Sequence, residues 1–211
     1  SSDVCSSDLE GSFVKLPQMT EPRIPYLPIQ KYPLWMRFLF RLQRKKFGAI
    51  LNPSYLWGYT PKQFLVFTLF YLVSQNKKST LHPGLRSLVM VRVAQIHGCQ
   101  FCIDINALLL MERTQSQEKF LNLSNWKSHS EFSELEKAAL EYAEAMTQTE
   151  CQVTEELMTR LKTQLTDTQI IELTGLIAYQ NMSARFNSAL NIPPQGFCDL
   201  KAPQKKKHLT N

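Results

Sequence analysis

Cys99-Gln100-Phe101-Cys102 is the stretch of this chain whose residue types and spacing are best suited to chemistry. Two thiols three residues apart can close into a disulfide and reopen by exchange. The run Leu85 to Ile96 before them reads as one apolar helix, and the run Ile103 to Met111 after them as another. A dithiol at the junction of two helices is placed for redox work rather than for stapling a loop. If Gly98 breaks the helical pattern, Cys99 falls near the cap of the second helix and Cys102 in its first turn. Unpaired N–H groups and the positive end of the helix dipole stabilise a thiolate there. A thiolate that attacks a peroxide oxygen becomes a sulfenic acid, and a second thiol one turn away condenses with it to a disulfide.

Other readings of a Cys-x-x-Cys are open at this level. Half of a zinc site needs two further ligands, and only the scattered Cys151, Cys198, His97 and His129 are on offer. A thioredoxin-type motif follows a strand, whereas this one follows a helix. An inert buried pair is the plain structural alternative, because cysteine is often a small core residue.

The elements that must position the pair read as helices. Leu34, Trp35, Phe38, Leu39 and Leu42 recur at helical spacing from Pro33, with Arg37, Arg41, Arg44 and Lys45 between them. This reads as a surface helix with a solvated basic face. Thr60-Pro61 starts a helix whose apolar run, Phe64 to Val73, reads as a buried helix. Ten helical residues span roughly 15 Å, half a bilayer core, so no membrane span is expected. Pro83 opens the helix before the dithiol. Residues 114–131 read as a polar loop carrying Phe120, Leu121, Leu123 and Trp126. Ser133 with Glu136, and Thr166 with Gln169, are capping boxes, and Thr154 caps a short helix between them. The second box opens a long helix through Leu190, closed by Asn191-Ile192-Pro193-Pro194. No strand-like alternation is present, and the seven glycines are sparse. The expected fold is all-α, a multi-helix bundle of six to eight helices.

Residues 1–9 look like translated sequencing-adapter sequence and are set aside from fold reasoning. Residues 10–32 form a proline-rich arm expected to wrap its own domain or a neighbouring subunit. Residues 33–196 are the helical domain, and residues 197–211 a basic, solvated tail. The formal charge is +6, but Lys201, Lys205, Lys206 and Lys207 carry four of those charges, leaving +2 on the rest. Such a tail reads as a solvated end in preference to a contact for RNA or an anionic surface, and no nucleic-acid partner is expected. Five cysteines and no recognisable leader make a disulfide framework unlike this chain, with Cys151 and Cys198 read as reduced thiols and the cytoplasm as the default location.

The run Leu85-Arg86-Ser87-Leu88-Val89-Met90-Val91-Arg92-Val93-Ala94-Gln95-Ile96-His97-Gly98-Cys99-Gln100-Phe101-Cys102-Ile103-Asp104 resembles the core of the carboxymuconolactone decarboxylase and alkylhydroperoxidase D-like family. Ala138-Ala139-Leu140-Glu141-Tyr142-Ala143-Glu144-Ala145 is similar to a second stretch of that family. Glu172-Leu173-Thr174, with Asn181 and Arg185-Phe186-Asn187, is similar to a third. The resemblance implies a symmetric homo-oligomer, a trimer or hexamer, with the cysteine helix at its heart. It implies a thiol-dependent peroxidase in which Cys102 attacks and Cys99 resolves. The substrates would then be a hydroperoxide and a dithiol reductant, with no cofactor and no metal.

The family pattern also has a glutamate twelve residues before the first cysteine and a histidine four after the second, forming a proton relay. These positions hold Ser87 and Asn106 here, and a further family histidine before the second cysteine is Phe101. Asn106 lies one turn after Cys102 on the same face. It can hydrogen-bond a thiolate but cannot exchange a proton near neutral pH. His97 reads either as a replacement base or as a helix-end histidine bonded to backbone. Asp104 points off the Cys102 face, and Glu172 and Arg185 read as pairing or capping residues. Two rivals follow from the altered relay positions: a non-catalytic or redox-sensing member, and a decarboxylase-like enzyme of the branch that typically lacks the cysteine pair.

Overall fold

The computed structural model describes residues 21–150 and 152–198, and these fold into helices with no strand among them. The adapter-like segment, most of the arm before residue 21, Cys5, Cys151 and the lysine tail lie outside the described residues.

A helix that is apolar on every side must be covered on every side. Helix α4 (Pro83–Ile96) meets that condition: eleven of its fourteen residues are buried, Leu88, Val89, Val91, Val93 and Ala94 completely. It forms an antiparallel hairpin with α5 (Gln100–Thr114), and α7 (Glu134–Thr147) and α9 (Asp167–Ala189) cover its other sides. Helix α8 (Glu155–Lys162) packs Leu157 and Leu161 against this assembly. Both anticipated capping boxes are present, at Ser133/Glu136 and Thr166/Gln169, and Thr154 caps α8.

Helices α1 (Leu34–Phe47), α2 (Asn52–Trp57) and α3 (Pro61–Ser74) build a further cluster from Tyr32, Met36, Phe40, Ile50, Trp57 and Phe64. Rings tie it to α9: Phe186 stacks on Trp57 at 4.0 Å, Trp57 on Phe67 at 4.8 Å, Phe67 on Tyr179 at 4.7 Å and Tyr179 on Phe70 at 5.3 Å. Such a run fixes the rotation of α9 about its axis, because offset stacking is directional. Gly58 is required here. A Cβ on it would lie 2.1 Å from the Tyr32 ring, whose hydroxyl donates to the Tyr55 carbonyl at 3.1 Å.

Several expectations are corrected. The described residues hold nine α-helices rather than six to eight. The short α2 and α6 (Glu118–Leu121) carry too few residues to show a period. Helix α6 and a 3-10 turn at Leu123–Asn125 lie in the stretch read as a polar loop, anchored by buried Phe120, Leu123 and Trp126. The Phe64–Val73 run is not a buried helix. Only Phe64 is buried on α3, while Leu65, Val66, Leu69, Phe70, Leu72 and Val73 are exposed. On α1 the buried residues are Met36 and Phe40, while Leu34, Trp35, Phe38 and Leu42 face outward. No helix among the described residues is long and apolar enough to cross a membrane.

Residues 21–32 of the arm lie on their own domain. The Arg23 N–H donates to the Leu190 carbonyl at 2.9 Å, its guanidinium bonds the Ala189 carbonyl, and Tyr26 stacks on Tyr55 at 4.7 Å.

Candidate functional site

The turn between α4 and α5 decides where the two sulfurs go. Gly98 adopts φ +61°, a left-handed conformation that costs glycine little. Its N–H donates to the Gln95 carbonyl, and the Cys99 N–H to the Ala94 carbonyl, both at 3.0 Å. This pair of bonds is a Schellman closure of α4. Cys99 therefore becomes the N-cap of α5, with Cys102 three residues inside, as the sequence indicated.

The two sulfurs are bonded to each other, with Cα atoms 5.2 Å apart, and both residues are 2 % exposed. Their remaining partners differ. The Cys102 backbone N–H donates to Cys99 Sγ at 3.3 Å, so the first-turn donor serves the capping sulfur. Cys102 Sγ instead accepts from Asn187 Nδ2 of α9 at 3.2 Å. Sequence reasoning expected the helix start to serve Cys102 and missed Asn187 as a contact. The available signal was the Arg185-Phe186-Asn187 stretch, but only tertiary packing sets it opposite α5.

Asn106 lies one turn beyond Cys102 on the same buried face, and its Nδ2 donates to Gln180 Oε1 at 3.3 Å. Gln180 Nε2 and Asn187 Oδ1 are buried without a partner. Amides from two helices thus line the α5–α9 seam beside Cys102.

Ser87 is equally buried but bonded elsewhere. The Arg113 guanidinium donates to its Oγ at 2.9 Å, near the opposite end of the α4–α5 hairpin from the sulfurs. Arg86, beside it in sequence, donates to the carbonyls of Ser74 and Asn76 at 2.7 and 3.2 Å and so caps the end of α3. Burial pushes both guanidinium pKa values down, and Arg113 adds to the effect on Arg86. Burial also raises the Tyr71 phenol, against the opposing influence of Arg113 and Arg86.

His97 ends α4, and its Nε2 lies 2.6 Å from Asn181 Oδ1. The Asn181 amide nitrogen donates to Thr147 Oγ1 and to the Ile177 carbonyl. Asn181 Oδ1 is therefore the acceptor and His97 Nε2 the donor. The expected backbone bond is replaced by this side-chain bond.

Phe101 is buried in the same apolar cluster as the sulfurs, together with Leu56, Ala184 and Ile192. Asp104 faces away from Cys102, as expected: its carboxylate accepts the N–H groups of Gln195 and Cys198 at 2.8 and 2.6 Å. That clamp brings residues 190–198 over the cysteines, with Ile192, Phe197 and Cys198 in their cluster. Cys198 is disulfide-bonded rather than the reduced thiol expected. Glu172 caps the Ser79–Thr80 turn, accepting from Ser79 Oγ at 2.8 Å and Thr80 N–H at 3.2 Å. Arg185 is exposed and makes no ion pair among the described residues.

Residues 63–145 match the sequence pattern of the carboxymuconolactone decarboxylase family. The chain is 42 % identical over 179 residues to the uncharacterized protein YnjA of Escherichia coli K12, covering 85 % of this chain and 97 % of that protein. Its fold is similar to the alkylhydroperoxidase AhpD core of an uncharacterized peroxidase-related protein from Ralstonia eutropha JMP134. That match has a TM-score of 0.76 at 17 % identity and covers 83 % of this chain and 94 % of that one. The debrominase Bmp8 shares the fold with a TM-score of 0.72 at 17 % identity, over 82 % of this chain and 91 % of that one. With an all-helical fold, the cysteine pair at the head of α5 and a full-length relative at this identity, the chain belongs to the carboxymuconolactone decarboxylase family.

Proposed function

We propose that the protein is a thiol-dependent peroxidase of the alkylhydroperoxidase D-like kind, with Cys102 as the attacking thiol and Cys99 as the resolving one. The observation that supports this is the bonded Cys99–Cys102 pair at the first turn of α5, each sulfur with its own hydrogen-bond donor. In the reduced protein the Cys102 thiolate attacks one oxygen of a hydroperoxide. The S–O bond forms as the O–O bond breaks, and the other oxygen leaves as an alcohol or water after taking a proton. Sulfur is oxidised by two electrons and the peroxide reduced by two. Cys99 then attacks the sulfenic sulfur, the disulfide forms and water leaves. A dithiol reductant reopens the disulfide by exchange and is itself oxidised.

Cys99 and Cys102 are both 2 % exposed, so the proposed reaction uses a state in which residues 190–198 or the arm at Tyr26 open. His97 is the histidine nearest the pair in sequence and the residue to test as a replacement base. The test of the whole reading is consumption of hydrogen peroxide and cumene hydroperoxide with dithiothreitol as reductant. The wild type should exceed a free-thiol background, and Cys102→Ser should fall to it. Consumption unchanged in Cys102→Ser would sink the proposal.

A redox-sensing reading draws on one observation: an amide, and no proton carrier, is the side chain bonded to Cys102. It predicts a reversible Cys99–Cys102 disulfide, seen by mass after alkylation, without turnover.

We further propose that the exposed α3 face, from Leu65 to Val73, is covered by another copy of this chain. Six large apolar side chains on one short helix form a patch of the kind that marks an interface. Leu69→Lys with Val66→Lys should reduce the mass seen by light scattering; an unchanged mass would overturn this assignment.

A further inference from the structure

We infer that Asn187 is the hydrogen-bond donor that holds Cys102 as a thiolate, and that its second amide atom receives the hydroxyl of the hydroperoxide. This rests on the reading of Cys102 as the attacking thiol.

The sulfur of Cys102 sits in an apolar cluster with Leu56, Phe101, Ala184 and Ile192. Burial in such surroundings disfavours the charged form of a thiol and raises its pKa. Something must offset that for Cys102 to react near neutral pH. The backbone N–H of its own residue is spent on Cys99 Sγ. The donor that reaches Cys102 Sγ is Asn187 Nδ2, at 3.2 Å from a side chain itself only 2 % exposed. A buried N–H donor favours the charged form of the atom it contacts.

The other half of the same carboxamide supplies an independent observation. Asn187 Oδ1 is buried with no partner. Buried acceptors are rarely left so, and an orphan at a reactive site calls for a bound group that donates to it. In a hydroperoxide the oxygen that a thiolate attacks carries the hydrogen. That O–H can donate to Asn187 Oδ1 while the sulfur approaches its oxygen. After the O–O bond breaks, the same O–H belongs to the sulfenic acid on Cys102, so the hydrogen bond survives the step. Neither role moves a proton through the amide, which suits a site whose family histidine position is Asn106. Gln180, bonded to Asn106 and two turns before Asn187, presents its own unpartnered Nε2 on the same side of α9.

The test reads the thiolate directly. The fully reduced, full-length chain is alkylated with iodoacetamide from pH 5 to 10, and Cys99 and Cys102 are resolved by peptide mass. Asn187→Asp places a carboxylate against the sulfur and should leave about tenfold less reactive Cys102 at pH 7. Asn187→Leu removes the donor and should leave about threefold less. Asn187→Ser keeps a hydroxyl donor and should lie between Asn187→Leu and the wild type. The Cys99 profile should not move, since its donor is a backbone N–H.

A Cys102 profile within twofold of wild type in Asn187→Leu overturns the inference. So does a Cys99 profile that shifts as far as that of Cys102, because a general loosening of the seam would do that. If Asn187→Asp does not fold by circular dichroism, Asn187→Ser against Asn187→Leu decides on the same terms. Absent peroxide turnover in wild type with a shifted Cys102 profile supports the thiolate contact and overturns the peroxidase reading. Turnover in wild type with an unshifted profile overturns the inference alone.

Discussion

The two ends of the α4–α5 hairpin, one holding Cys102 and Asn106 and the other Ser87, are chemically separate. At the turn end, Cys102 meets an α9 amide, and Asn106 one turn on meets another. Near the open end, Ser87 accepts from Arg113, and Arg86 caps α3. No hydrogen bond joins Ser87 to Asn106 among the described residues. Around Cys102 the turn end is lined by amides, with the Asp104 carboxylate turned away, whereas the open end carries the buried Arg86 guanidinium and the half-buried Arg113 one. The contrast teaches that Ser87 and Asn106 each serve their own neighbourhood rather than each other. A carboxylate at position 87 would now meet a guanidinium, and a histidine at position 106 would displace an amide bonded to Gln180.

The strongest way to break this contrast is to place a carboxylate and an imidazole at these two positions. Ser87→Glu with Asn106→His should raise hydroperoxide turnover by about tenfold or more, since a positioned acid or base typically contributes 10²–10⁴-fold. Arg113 competes for the new carboxylate, so Arg113→Met in the same background should raise it again. Ser87→Ala alone should change turnover less than twofold, since the open end does not touch sulfur. A large loss in Ser87→Ala would show that the two ends still communicate.

A smaller effect is expected from the turn that sets the sulfurs apart from the open end. Gly98→Val must place a β-branched residue at φ +61°. It should cost about 2 kcal/mol in denaturant unfolding. Nothing lies within 4 Å of a Cβ at that position, so strain rather than collision is the cause. Gly98→Ala should cost about 1 kcal/mol. Equal stability of Gly98→Val and wild type would show that the turn relaxes to another geometry.

Much of the site was legible beforehand. Proline at a first helical position, Ser133/Glu136 and Thr166/Gln169 are local signals, and local hydrogen bonds realise them. Gly98 and the Cys-x-x-Cys spacing set the cap and first turn of α5 without help from distant residues. What could not be read was which apolar surfaces are covered and which distant side chain meets which sulfur. Helices α3 and α4 are both fourteen residues long and apolar all round. One is buried among three helices and the other exposes most of its length. Periodicity cannot separate them, because a helix without an amphipathic stripe carries no signal for its own partner.

The sequence by itself determined the helices, their caps and the dithiol at the head of α5, because those depend on contacts within a few residues. Only the tertiary structure decided that Asn187 reaches Cys102, that Ser87 belongs to Arg113 and that α4 rather than α3 is the central helix. Each of those depends on the rotation and order of helices packed from far apart in the chain.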